Sequence, residues 1–302
     1  MQSVLIRAGC FVAIIILGFV LRRTGFFPDN TFTILSRIVL KITLPASVVA
    51  SFAGKEIDPS LLLLALMGFG FGAIYIALGW ILNLRRGIDR QVFGIINLSG
   101  YNIGNFTMPF VQSFLGPVGV ITTSLFDTGN ACICLGGAFG VASSVKEGGN
   151  FNAKIVLKAL SRSTTFLCYV LMTVLCLFKV TIPGPIVSLA EIIGGGNAFL
   201  AMLMLGVGFK VEANREQIGR IVRHLALRYG LATVFALLCW FLLPFEEAVR
   251  QALVILVFSP IATACPAYTG ELKNEAGLAA AINSISIVCS IVIIVTLLTV
   301  MA

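Results

Sequence analysis

The sequence predicts an all-α polytopic membrane protein, with ten transmembrane helices as two inverted five-helix repeats and with the fourth and ninth helices broken. Three observations carry this. Of 302 residues, 58% are hydrophobic and 11% charged, with a mean hydropathy of +1.02, against roughly 45–50% apolar residues in soluble domains. Apolar runs of about 20 residues, the length that crosses a bilayer core, recur along the whole chain. Five such runs lie on each side of a polar, Gly-rich stretch, VKEGGNFNAK, near residue 150.

The runs lie roughly at 4–21, 31–53, 61–82, 91–114, 117–141, 158–180, 185–208, 225–243, 250–270 and 277–300. The first has only Arg7 ahead of its apolar core and no small-residue cleavage site before Arg22, so it reads as a retained helix and not as a signal peptide. The chain divides into a first repeat over 1–145, a cytoplasmic linker over 146–157 and a second repeat over 158–302. An odd number of spans per half makes the second half enter the membrane in the opposite sense. Landmarks recur between the halves. Pro28 and Pro183 precede the second and seventh runs, and 81 residues separate Pro28 from Pro109 where 83 separate Pro183 from Pro266. An offset of 156 sets Asp127 opposite Asn283.

The net charge is +8. With the N-terminus outside, the inner loops hold fifteen of the 21 Lys and Arg residues, among them Arg162, Lys210, Arg215, Arg220, Arg223 and Arg228. The outer loops hold only Lys55, Lys179 and Arg250, while Arg7, Arg37 and Lys41 fall within spans. This is the positive-inside pattern, so the expected location is the plasma (inner) membrane with both termini outside. The basic charge then follows from topology, and no nucleic-acid partner is expected. His224, the single histidine, follows Arg220 and Arg223 and is expected to be solvated in a basic loop.

GYNIGNFTMP (100–109) places two asparagines, two glycines and a proline inside an apolar run. Proline removes a backbone donor and glycine relaxes the chain. Backbone groups freed in this way cannot face lipid, so they face protein, water or a ligand. Sliding one half on the other sets NIGNFTMPF opposite SPIATACPAY (259–268), a second interrupted run. Paired interruptions at corresponding places mark a binding site between the repeats. The candidate contacts there are Asn102, Asn105 and Pro109 from the first break, and Thr263, Pro266 and Tyr268 from the second. Half-helix N-termini at such breaks favour an anion without a dedicated arginine. Lys41 is a weaker candidate for meeting the anion; alternatively it or Arg37 pairs with Glu191.

Asp127, in SLFDTGNAC, lies deep in the fifth run, where a carboxylate is costly and points by default to proton or sodium coupling. Asn130, three residues on, and Asn283 complete the candidate coupling set; a packing hydrogen bond from Asp127 to Asn130 is the plainer reading. The Asp-Thr-Gly triplet occurs once, and the chain lacks the paired carboxylates of aspartic proteases. No HExxH motif or Ser/His/Asp set is present, so neither enzymatic activity nor a cofactor or metal is expected. The cysteines lie inside apolar runs and read as small hydrophobes, with no disulfide framework.

At these residues the chain resembles the auxin efflux carrier family, within the wider bile-acid/sodium symporter superfamily. The resemblance rests on Leu44-Pro45 in the second run, on Asn102-Ile103-Gly104-Asn105 leading to Met108-Pro109 in the fourth, and on the proline-broken ninth. It implies a secondary carrier of organic anions, either auxin-like acids or dicarboxylates, working by alternating access as a homodimer. It also implies a scaffold of helices 1, 2, 6 and 7 and a transport part of helices 3–5 and 8–10, in which the broken fourth and ninth helices cross. The long hydrophilic central loop of many plant carriers is absent here, which points to a short, bacterial-type member. A receptor or channel that keeps the anion site without carrier cycling is the alternative.

Overall fold

A computed structural model describes residues 2–148, 151–209 and 215–301. Gly149 and Asn150 of the expected linker, and Lys210, lie outside the described residues. In chain order the helices are α1 (Gln2–Arg23), α2 (Thr31–Ile38), α3 (Leu44–Phe52), α4 (Leu63–Ile81), α5 (Ile88–Leu98), α6 (Met108–Phe114), α7 (Gly116–Cys132) and α8 (Ala138–Glu147). After these come α9 (Ala153–Arg162), α10 (Thr164–Leu177), α11 (Gly184–Gly195), α12 (Asn197–Gly208), α13 (Arg215–Leu242), α14 (Glu247–Val257), α15 (Cys265–Glu271) and α16 (Ala276–Met301). Helix thus takes up residues 146–147 and 153–157 of the expected linker.

Proline positions explain many of the boundaries. Pro45, Pro109, Pro117, Pro185 and Pro266 stand in the first turns of α3, α6, α7, α11 and α15, where the missing N–H has no intrahelical partner to lose. Wider, π-type turns lead into two of these helices, Val39–Thr43 before α3 and Ile103–Thr107 before α6. A third, Ile133–Gly137, joins α7 to α8. Ser163 separates α9 from α10 and caps the latter, its hydroxyl accepting from the Phe166 N–H at 3.3 Å.

Among the described residues, seven continuous segments are long and apolar enough to cross a membrane. An eighth, α9 with α10, is bent by 78° at Ser163. The two remaining expected spans, fourth and ninth, are interrupted: α5 gives way to irregular chain before Ile103, and α14 does so before α15. Large apolar side chains face outward, for example Leu66 at 69%, Phe241 at 73% and Ile192 at 78% exposure, a surface suited to lipid. This is an integral, multi-pass, all-helical membrane protein.

Helix pairs approach closely where side chains vanish. A Cβ on Gly129 of α7 would lie 1.8 Å from the Ala65 carbonyl of α4, and one on Gly68 of α4 would lie 2.0 Å from the Phe126 carbonyl of α7. The same reciprocity joins α1 to α12 through Gly18 and Gly206. Backbone thus packs on backbone, with small residues permitting the approach.

Candidate functional site

The two interruptions meet. Tyr101 and Ile261 form an isolated antiparallel bridge, and the Asn102 N–H donates to the Pro260 carbonyl at 2.9 Å. Gly100 turns the chain into this contact with φ of 75°, and a Cβ there would lie 2.8 Å from Cys134 Sγ. Each interruption is pinned by an asparagine from a neighbouring helix. Asn130 Nδ2 donates to the Tyr101 carbonyl at 3.0 Å and its Oδ1 accepts from the Tyr101 N–H at 3.0 Å. Asn283 Nδ2 donates to the carbonyls of Ile261 at 2.8 Å and Ala262 at 3.2 Å. Asn130 and Asn283 thus hold the two interruptions in comparable ways, Asn130 lying three residues beyond Asp127 in α7.

Arg228 closes the other side of the meeting point. Its side chain, at 1% exposure, comes from α13, and Nη1 donates to the Leu98 carbonyl at the end of α5. Nη2 donates to Gly100 at 2.8 Å, Ser259 at 3.3 Å and Pro260 at 3.5 Å. The rings of Tyr75 and Tyr101 lie against the guanidinium at 4.9 and 5.0 Å. Arg228 is not a loop cation as the charge pattern suggests: it falls inside the apolar run at 225–243, and α13 carries it into the core. His224, one turn earlier, is likewise half-buried and not solvated, with Nε2 2.9 Å from the Asn97 carbonyl.

A cavity of about 400 Å³ adjoins the meeting point. Asn102 and Asn105 line it from the first break, Thr263 and Ala264 from the second, and Asp127 with Asn130 from α7. Asn102 Nδ2 and Asn105 Oδ1 are buried and have no hydrogen-bond partner. Buried amide atoms without a protein partner call for an explanation. Asp127 is held from two sides, Asn130 Nδ2 donating to Oδ1 at 2.8 Å and Tyr169 Oη to Oδ2 at 3.1 Å. Lys41 and Arg162, both exposed, also line the cavity, and neither joins an ion pair among the described residues. Lys41 is tolerated in an apolar run because it sits in the π-type turn before Pro45.

The remaining expected contacts lie elsewhere. Pro109 and Pro266 start the second half-helices and are absent from the cavity wall. Tyr268 is also off the wall, its hydroxyl donating to the Cys134 carbonyl at 3.1 Å. Asn283 stands behind the second break. No ion pair among the described residues joins Glu191, which is exposed, to Arg37 or Lys41. Tyr169 and Arg162 are among the wall residues that the sequence does not mark as candidates. An aromatic in an apolar helix carries no polar signal, and Arg162 was absorbed into the loop charges.

Two interrupted helices thus meet beside a largely apolar cavity that carries amide, carboxylate and cationic side chains, within a multi-pass bundle. Residues 10–148 match the family model described as membrane transport protein, which supports the resemblance to the auxin efflux carrier family. A comparison with curated proteins gives no match.

Proposed function

We propose that the protein is a secondary active transporter of small organic anions, carboxylates including dicarboxylates and auxin-like acids, which it carries by alternating access. The observation that carries this reading is the unpartnered donor Asn102 Nδ2, at the wall of a cavity where two interrupted helices meet. A carboxylate would accept from Asn102 Nδ2 and from the N–H groups that open the helical stretch 103–114, which lack intrahelical acceptors. Lys41 and Arg162 would draw it in. Asp127 is the proposed coupling group, for a proton or sodium.

The proposal includes ten spans as two inverted repeats. The matched roles of Asn130 and Asn283 at the two breaks support it. A homodimer in the plasma membrane with both termini outside completes it by family resemblance. Substrate counterflow in proteoliposomes is the test: preloaded unlabelled carboxylate should accelerate entry of labelled carboxylate. Saturable binding without exchange would instead leave a receptor, and unsaturable flux a channel.

A further inference from the structure

We infer that Arg228 is a built-in cation that permanently fills the position between the two interrupted helices where a carrier of this design would otherwise hold a dissociable monovalent cation. This rests on the carrier reading above.

The first halves of both interruptions, α5 and α14, end at Leu98 and Val257, and each helix C-terminus carries roughly half a negative charge on its unpaired carbonyls. Two such ends together amount to about one negative charge, which one guanidinium balances. Unwound carbonyls and half-helix C-termini are the groups that coordinate sodium in broken-helix transporters. Here those of Leu98, Gly100, Ser259 and Pro260 all accept from Arg228 instead. No carboxylate pairs with Arg228 among the described residues. A fully buried arginine is expensive unless compensated, so its counter-charge is the carbonyl cluster and the two tyrosine faces.

The consequence is an electrical division of the meeting point. Its C-terminal ends are neutralised by a cation attached through α13, which cannot be released to either side of the membrane. An ion that drives transport must therefore act elsewhere, and the cavity carboxylate of Asp127 is the remaining group placed to do so.

The test is thermal melting of the purified full-length protein in sodium, potassium, choline and methylguanidinium chlorides at equal ionic strength. Wild type should show no selective rise with sodium. Arg228→Ala should melt lower and recover at least half of the loss in methylguanidinium, with a smaller recovery in sodium. A deficit equal in all four salts, or a sodium-selective rise in wild type, overturns the inference. Arg228→Lys against Arg228→Met provides the second measurement. Lysine keeps the charge and should restore most of the stability, whereas a lysine variant as deficient as the methionine one overturns the proposal. Failure of counterflow would leave these melting results untouched, so the two readings fail separately.

Discussion

Tyr169 Oη donates to Asp127 Oδ2 at 3.1 Å, tying α10 to α7 across the cavity wall. Tyr169→Phe deletes that donor and leaves a buried carboxylate short of one partner, a cost of about 1–3 kcal/mol. Thermal melting should show the loss, and it should shrink when Asp127 is already Asn, because residues in contact are non-additive. Independent, additive losses would count against a shared bond.

Asp127→Asn preserves shape and removes the charge. Transport by this variant should lose its dependence on the driving ion, read as flat uptake across pH and sodium concentration. An unaltered profile would discard Asp127 as the coupling group.

Asn105→Ala should abolish saturable uptake while the purified protein still elutes as one species in detergent. Lys41→Gln and Arg162→Gln should each raise KM about 2- to 5-fold, the scale expected for exposed charges worth under about 1 kcal/mol. Added salt should blunt the difference from wild type.

Gly129→Ala brings a methyl group onto the Ala65 carbonyl and should lower stability by roughly 1–3 kcal/mol or prevent assembly. Gly70→Ala, where nothing lies within 4 Å, is the control and should melt no lower than wild type.

Arg220 and Glu275 pair at the starts of α13 and α16, with Nη1 2.6 Å from Oε1. The Arg220 hydrogen bonds hold the Glu275 carboxyl below its ordinary range. A lowered carboxylate pKa stabilises the fold above the unfolded value, and the contribution is lost as pH falls through the folded one. Half-exposure limits the contribution to under about 1 kcal/mol. Glu275→Gln should therefore narrow the melting difference between neutral and acidic pH, and an unchanged difference would reject the pairing's role.

The interruptions were legible because asparagine, glycine and proline inside an apolar run have few innocent explanations. Their positions shifted in detail. Proline signals where the next helix can begin, so the breaks lie ahead of Pro109 and Pro266 and the prolines themselves stay off the cavity wall. Arg228 was illegible for the opposite reason. A cation at the start of an apolar run, behind Arg220 and Arg223, looks like loop charge, and only the packing of α13 on the meeting point buries it. Asn130 was first read as a partner of Asp127, a bond it makes, yet its grip on both backbone groups of Tyr101 required the fold.

Where α4 meets α7 and α1 meets α12, peptide planes abut with no side-chain cushion between them. Sliding along such seams would need the helices to climb over each other's carbonyls, so each pair behaves as a single stiff beam. The boundary of α10 with α7 has no such glycine seam and borders the cavity, so relative displacement meets less steric resistance there than within either beam.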